Sequence, residues 1–311
     1  MPGHDHNHDH NQHHGGHSHG ASSTRAFAFG TLINLAYTAL EAGYGLATDS
    51  LALLSDALHN FGDVLGLALA WGAAILAQRR PTKEHSFGWR RATLLAPLAN
   101  ALILAVFSGA LAWEALRRLS APPDVPGLPV MIVAAIGVVI NLASAWLFHA
   151  RKDTDLNRRG AYLHLLADAA VSFAAVVAGL GMLKLGWFWL DPVLALLVGV
   201  VVAITAWSLM RESFAQVMDA VPAHIDRDAV IDFLQSQAGV EQVHHIHIWA
   251  LGADEVALTA HIVRPRVDDH DAFLDTLVRA LNERFAINHA TLQFERGTAC
   301  SHDQHDLAPH H

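Results

Sequence analysis

Six long stretches of apolar residues dominate the first two thirds of the chain. Each is long enough for a helix that crosses a hydrocarbon core about 30 Å thick, which takes about 20 residues. Polar breaks separate the stretches, among them Thr48-Asp49-Ser50 and the proline-rich segment 122–127. The pattern predicts six transmembrane helices, near residues 26–48, 51–77, 91–117, 127–149, 160–183 and 190–210. Because this number is even, both ends of the bundle lie on one side of the membrane.

After Arg211 the pattern becomes that of a small soluble domain, with short apolar segments separated by polar turns. It predicts the element order αββαβ, a ferredoxin-like or metallochaperone-like α+β layer with two helices on one face of a three-stranded sheet. The elements are a helix at 226–238, strands at 240–249 and 256–263, a helix at 271–285 and a strand at 290–295. The fold class is therefore an α-helical membrane protein with six transmembrane helices and a soluble α+β domain.

Lysine and arginine are distributed unequally between the loops, which indicates the orientation. Nine lie on one side of the bundle: Arg79, Arg80, Lys83, Arg90, Arg91, Arg151, Lys152, Arg158 and Arg159. The opposite side has only Arg117, Arg118 and Lys184. The first side, which also holds both termini, is predicted to be cytoplasmic. The chain then divides into a tail (1–24), a membrane domain (25–212), a cytoplasmic domain (213–296) and a second tail (297–311).

Composition narrows the function classes. With 52% hydrophobic and 16% charged residues, the chain is too apolar for an ordinary soluble protein. Its formal charge of -9 excludes a nucleic-acid partner, which would need a basic surface. Cys300 is the one cysteine, so no intrachain disulfide forms. We therefore expect membrane lipid as the surroundings and a soluble part that faces a reducing compartment.

Histidine is unusually frequent, with 23 residues. Eight lie in the first twenty residues and four in the last ten. The first twenty residues have no apolar core, so they form neither a signal peptide nor a folded element. Such a tract is typical of a disordered tail that binds transition metals, although an affinity tag would have a similar composition.

Four ionisable residues lie inside the predicted membrane helices, where burial in lipid is costly and usually marks a site. They form two His-x-x-x-Asp motifs, His59 with Asp63 in the second helix and His164 with Asp168 in the fifth. A spacing of four sets both side chains on one face, about 6 Å apart along the axis. Because the two helices run antiparallel, His59 should lie level with Asp168 and Asp63 with His164. Two nitrogen and two carboxylate ligands suit tetrahedral zinc, unless these groups only hydrogen-bond neighbouring helices.

Other polar residues in the apolar helices are weaker candidates: Asn34, Glu41, Asp56, Asn60 and Asn141. Asp56 lies seven residues before Asp63 on the same helix face. It either guides ions outward or serves helix packing and capping. His85, in the loop after the second helix, is interpreted as structural.

The soluble domain carries a second group of histidines, His244, His245 and His247 on one strand and His261 on the next. A hairpin that turns at Gly252-Ala253 would set His244 opposite His261. Their Cβ atoms would then lie about 5 Å apart, close enough to share a metal. A shift of one residue in register would remove this pairing.

These motifs resemble the cation diffusion facilitator family, in its bacterial branch that exports zinc, cobalt and cadmium. The stretch from Asp49 to Asp63 is similar to that family's second helix, and Gly160 to Asp168 to its fifth. The resemblance covers residues 25–296 and implies a homodimer in the bacterial inner membrane that exchanges metal for protons. It implies that the four membrane residues form the transport site, with histidine favouring zinc over manganese.

The resemblance also implies a regulatory metal site in the cytoplasmic domain, with zinc as regulator. Its ligands would be His244, His261 and Glu295, with His289 as a fourth where some members carry two consecutive histidines. Weaker candidates for additional ligands are His245, His247, His270, Cys300 and His302.

The function predicted from the sequence is efflux of a divalent transition metal, zinc before cobalt, cadmium or nickel, by metal/proton antiport. A metal store or sensor, or a channel-like zinc uniporter, would use the same ligands without proton exchange. An enzyme is not expected, because the His-Glu-x-x-His motif typical of an intramembrane metalloprotease is absent from the sequence.

Overall fold

The computed structural model describes residues 20–149, 156–265 and 270–297. Six long helices make up its first part: α1 Gly20–Thr48, α2 Leu51–Ala77, α3 Ala92–Ser120, α4 Gly127–His149, α5 Leu156–Leu185 and α6 Leu190–Val217. α2 and α4 have the predicted bounds. α6 continues to Val217, seven residues past its predicted end at 210, and thus extends the bundle toward the soluble domain.

Five of these helices, α2 to α6, are long and apolar enough to cross a membrane. The mean hydropathy of their most apolar windows lies between 1.5 and 2.5. α1, with 29 residues, is the sixth helix of the bundle. The prediction of a six-helix membrane domain is confirmed.

The start of α2 is fixed by a buried carboxylate from α6. Ser50 is the N-cap residue of α2, and its hydroxyl donates to Oδ1 of Asp191 at 2.5 Å. The backbone amides of Leu51 and Ala52 also donate to Asp191, at 2.8 and 3.2 Å. Helix N-termini leave such amides unsatisfied and carry partial positive charge, so an anion at this position stabilises the turn. Asp191 therefore joins α2 to α6 at the end of the bundle away from the soluble domain.

Close approach of two helix backbones defines the α4–α5 contact. A Cβ atom on Gly127 would lie 2.4 Å from the carbonyl oxygen of Gly179. A Cβ atom on Gly179 would lie 2.8 Å from the backbone nitrogen of Met131. Small residues at such crossings let helices pack closely in lipid, where the hydrophobic effect does not drive association. These two glycines therefore hold α5, which carries one of the two motifs, against α4.

The second part of the structure is the soluble domain, with α7 Arg227–Gln235, β1 Gln242–Gly252, β2 Glu255–Val263, α8 His270–Phe285 and β3 Ile287–Glu295. This confirms the predicted αββαβ order. The sheet order is β1-β2-β3, with β1 and β2 antiparallel and β2 and β3 parallel. Its core is formed by apolar residues from both helices and all three strands, among them Leu234, Ile246, Leu258, Ile262, Leu277, Leu281 and Ile287.

The β1–β2 hairpin has a different turn from the predicted one. Gly252 pairs with Glu255, so the turn is formed by Ala253 and Asp254 rather than by Gly252 and Ala253. Two irregularities in β1, one near the turn and one after His244, then shift the register. Their combined effect sets His244 opposite His261, as expected. The predicted pair is present, but the predicted turn position was wrong.

The tip of this hairpin contacts the membrane domain at the end of the α2–α3 loop and the first turn of α3. The backbone amide of Ala253 donates to the hydroxyl of Thr93 at 2.9 Å. Arg90 forms an ion pair with Glu255, and Arg91 forms one with Asp219 at 2.8 Å. The soluble domain is therefore attached next to the end of α2.

Candidate metal centres

The first candidate centre lies between α2 and α5 and is built from the two His-x-x-x-Asp motifs. Nε2 of His59 lies 3.3 Å from Oδ1 of Asp168. Nε2 of His164 lies 2.9 Å from Oδ2 of Asp63 and 3.5 Å from Oδ2 of Asp168. These are the two cross-pairs expected from antiparallel helices. The structure therefore brings together all four residues that the spacing singled out.

The four side chains surround one small volume. Ligand atoms of His59, Asp63 and His164 lie within 4.8 Å of one another. The imidazole centroids of His59 and His164 are 5.6 Å apart. Two imidazoles around a tetrahedral zinc ion have centroids about 5.2 Å apart, given zinc–nitrogen bonds of about 2.0–2.1 Å. Small side-chain rotations would bring this group to the geometry of a four-ligand zinc site.

Charge and exposure differ within this centre. Two carboxylates supply a formal charge of -2 when ionised, which matches a divalent cation. The Asp168 side chain is only 5% exposed, whereas that of Asp63 is 43% exposed. An unpaired buried carboxylate is costly, so the two imidazoles, or a bound cation, must compensate Asp168. The site thus has a closed side at Asp168 and an open side at Asp63.

A network of buried polar side chains lies beside this centre. The Tyr37 hydroxyl donates to Oε1 of Glu41 at 2.9 Å, and the Asn60 amide approaches Oε2 of Glu41 at 3.4 Å. The Ser172 hydroxyl donates to Oδ2 of Asp56 at 3.3 Å. Glu41 and Asp56 are both almost fully buried. This network links α1, α2 and α5 next to the four-residue centre.

Two members of this network, Tyr37 and Ser172, were missed from the sequence. A signal for both was present, because each lies four residues from an acidic residue on its own helix. Tyr37 precedes Glu41 by one turn, and Ser172 continues the face of His164 and Asp168 on α5.

Among the weaker candidates, Asn141 is buried in α4, and His85 stacks on Trp89 in the α2–α3 loop with ring centroids 4.3 Å apart. The stacking agrees with the structural interpretation of His85.

The second candidate centre lies on the sheet of the soluble domain. Nε2 of His244 donates to Oε2 of Glu295 at 3.1 Å, and Nδ1 of His261 donates to Oε1 at 2.8 Å. Ligand atoms of the three residues lie within 4.8 Å of one another. Burial raises the pKa of Glu295, but the bonds from the two imidazoles outweigh it, so that this pKa lies below its ordinary value. One carboxylate and two imidazoles thus converge on one point.

His289 does not reach this centre. It pairs with Ala257 near the start of β3, whereas Glu295 ends that strand and pairs with Val263. Its ring lies edge-on to Phe87 of the α2–α3 loop, with centroids 5.5 Å apart. Six residues of strand, about 20 Å, separate His289 from Glu295. The inclusion of His289 in the cytoplasmic site is therefore corrected.

Of the weaker candidate ligands, the structure describes His245 and His247 but not Cys300 and His302. The His245 ring lies against His244 and His261, while His247 is exposed further along β1. Cys300 and His302 lie outside the described residues, as do the His-rich first nineteen residues and the end of the second tail.

Comparison with known proteins agrees with this architecture. The family model of the cation efflux transmembrane domain matches residues 28–218, and that of the cation efflux protein cytoplasmic domain matches residues 222–297. The boundary between the two matches follows the end of α6 at Val217. Both parts of the chain are therefore matched, in the order in which the structure has them.

Curated relatives cover nearly the whole chain. Zinc transporter ZitB of Pectobacterium atrosepticum is 35% identical over 288 residues, covering 90% of this chain and 89% of that protein. A cadmium, cobalt and zinc/H(+)-K(+) antiporter of Bacillus velezensis is 30% identical over 306 residues, covering 97% and 94%. Among solved structures, the metal-bound C-terminal domain of the CzcD transporter from Cuprividus metallidurans is 33% identical, covering 23% of this chain and 99% of that one, with a TM-score of 0.21.

The family models match more than half of the chain, and the two relatives align along most of their own length. The chain therefore belongs to the cation efflux family of membrane transporters, the cation diffusion facilitators that its motifs resemble.

Proposed function

We propose that this transporter exports zinc through the centre formed by His59, Asp63, His164 and Asp168. The observation that supports this most directly is the cross-pairing of two imidazoles and two carboxylates between two apolar helices. Nitrogen and carboxylate donors suit zinc, and cobalt, cadmium or nickel as secondary substrates, better than magnesium or calcium. Relatives named as zinc, cadmium and cobalt transporters support the same set of metals.

Metal transport is coupled to counter-movement of protons. An imidazole binds metal only when neutral, and its unperturbed pKa of about 6.5 lies in the physiological range. Metal and protons therefore compete for His59 and His164. A site open to the cytosol releases protons as it takes up metal, and the same site open outward releases metal as it takes up protons. An inward proton gradient then drives efflux. The relative named as a metal/H(+)-K(+) antiporter supports proton exchange.

The proposed orientation places both tails and the soluble domain in the cytosol, with the bundle in the plasma membrane. Two observations support it. The loops on that side hold nine lysine and arginine residues against three on the other. The soluble domain contacts the α2–α3 loop through the Arg90–Glu255 ion pair, and this loop holds five of those nine. Metal collected by the tails and by the soluble domain would then be cytosolic metal, as efflux requires.

A regulatory zinc ion binds at His244, His261 and Glu295, and the protein works as a homodimer. The convergence of three donors within 4.8 Å supports the metal site, since two imidazoles and a carboxylate fit zinc. The match to the family's dimer-type cytoplasmic domain supports the homodimer. Because the site spans β1, β2 and β3, bound metal would stiffen the hairpin whose tip contacts Thr93 and Arg90.

Reconstituted proteoliposomes test transport and coupling together. We expect zinc uptake into vesicles loaded with a zinc indicator, acceleration by an opposing pH gradient, and proton movement against zinc. Empty liposomes and liposomes with the D63N/D168N double variant are the controls. Zinc flux that ignores the pH gradient and moves no protons would favour a uniporter. The absence of any flux from protein that still binds zinc would favour a metal store or sensor.

The regulatory site has its own test in the full chain. The H244A/H261A double variant should keep the transport ligands intact while zinc titration shows one binding site fewer than in the parent. An unchanged stoichiometry would refute the regulatory site and leave the transport proposal standing.

A further inference from the structure

A bulge in β1 places a third imidazole beside His244 and His261. From His244 to His247 the strand advances three residues, while its partner β2 advances only two, from His261 to Thr259. β1 therefore has one extra residue between these two positions. The bulged segment includes His245, whose φ of 50° lies in the left-handed region. Successive side chains of a regular strand point to opposite faces, so His245 would otherwise point away from His244. The bulge redirects the strand so that the two neighbouring rings lie together.

The three rings form a nearly equilateral triangle. Ring centroids are 5.2 Å apart for His244 and His245, 5.2 Å for His244 and His261, and 5.1 Å for His245 and His261. Imidazoles bound to one tetrahedral zinc ion have centroids about 5.2 Å apart, from zinc–nitrogen bonds of about 2.0–2.1 Å. All three separations agree with that value. His247, two residues further along the strand, is exposed.

We propose that His245 is the fourth ligand of the cytoplasmic metal site, which then comprises three imidazoles and the Glu295 carboxylate. This inference rests on the proposed regulatory zinc. The ligand atoms of His244, His261 and Glu295 lie within 4.8 Å of one another, and the His245 ring lies 5.2 Å from the His244 ring and 5.1 Å from the His261 ring. A non-glycine residue with positive φ is uncommon and marks functional positions more often than ordinary ones.

Four ligands from one protomer have a chemical consequence. Structural zinc sites are four-coordinate and closed, whereas three protein ligands leave a position open to water or to another molecule. With His245 the site is closed within one chain and holds its metal without a donor from a second copy. Three neutral imidazoles also favour zinc, cobalt, nickel or copper over calcium and magnesium.

The test compares two single variants of the full chain, H245G and H247G. Glycine tolerates positive φ, so H245G removes the imidazole and keeps the bulge. H247G is the matched control, because it removes a neighbouring histidine of the same strand. Zinc affinity is measured by titration, and Co2+ is used as a probe because its visible absorption reports coordination number. The His-rich tail is present in the parent and in all variants, so its contribution to zinc binding is the same in each and does not affect the comparison.

We expect H245G to weaken the cytoplasmic site by at least about tenfold, since loss of even an outer-shell partner of a metal ligand costs 10–100-fold. Its Co2+ spectrum should change, while H247G should match the parent. If H245G matches the parent and H244A/H261A still removes a site, His245 is no ligand and the regulatory site stands. If H244A/H261A also leaves binding unchanged, the regulatory site itself is wrong. A circular dichroism spectrum that matches the parent shows that H245G is folded.

Discussion

Replacement of Asp168 by asparagine is the sharpest test of the transport centre. Asparagine keeps the size and one oxygen of aspartate but removes its charge. In the structure Asp168 faces both imidazoles, at 3.3 Å from His59 and 3.5 Å from His164, and its side chain is 5% exposed. The substitution therefore removes half of the negative charge of the centre and leaves its packing nearly unchanged.

The size of the effect follows from Coulomb's law. A dication about 2.6 Å from the carboxylate charge gains about 13 kcal/mol at an effective dielectric constant of about 20. Desolvation of the carboxylate and the retained amide oxygen offset most of this value. A quarter of it, about 3 kcal/mol, is still more than a hundredfold in zinc affinity. Asp63 is 43% exposed, and stronger screening should reduce the loss in D63N to about tenfold.

The expected difference between D168N and D63N is measured by zinc flux in proteoliposomes and by zinc titration of the purified protein. Asp124 lies exposed in the α3–α4 loop, so D124N provides the same chemical change away from the site. We expect flux to fall in the order D124N, D63N, D168N, with D124N equal to the parent. Gel filtration and thermal unfolding check that each variant is folded. Flux or affinity of D168N within threefold of the parent would refute the assignment of this carboxylate.

Three further predictions concern other parts of the chain. Deletion of residues 1–20 should leave maximal zinc flux intact and lower flux only at low zinc concentration, as measured by initial rates, because the tail acts as a local buffer. The lowered pKa of Glu295 means that its hydrogen bonds with His244 and His261 stabilise the soluble domain at neutral pH, and this stabilisation is lost as pH falls below about 4.3. Unfolding of E295Q should therefore show a weaker pH dependence there. D191A should destabilise the bundle by about 2–3 kcal/mol, since hydrogen bonds to a charged group are lost, and D191N by less; thermal unfolding in detergent measures both.

The convergence of the four side chains between α2 and α5 was predictable from sequence because helices are rigid and periodic. A spacing of four fixes His59 and Asp63 on one face, and the antiparallel course of α2 and α5 then determines which groups meet. The adjoining network was harder to foresee. Hydroxyls such as those of Tyr37 and Ser172 are common in apolar helices, so their roles depend on which neighbours approach them.

The cytoplasmic centre was predicted only in part, because strand register depends on local irregularities. The bulge at His245 has no glycine to announce it, and two register shifts happened to restore the His244–His261 pair. The parallel pairing of β2 and β3 is set by the crossover through α8, which no short-range pattern specifies. For that reason His289 could not be placed from its neighbours in sequence.

The attachment of α2 to Asp191 has a mechanical consequence. Three hydrogen bonds hold the start of α2, so a tilt of this helix would pivot there. The displacement of a residue on α2 would then grow with its distance from this pivot. His59 lies about 12 Å from Leu51 and Asp63 about 18 Å, at about 1.5 Å per residue. A tilt of about 10° moves His59 by about 2 Å and Asp63 by about 3 Å. Metal–ligand distances tolerate only about 0.2 Å, so a tilt of α2 would detach an ion bound at the proposed site from Asp63 before it detached the ion from His59.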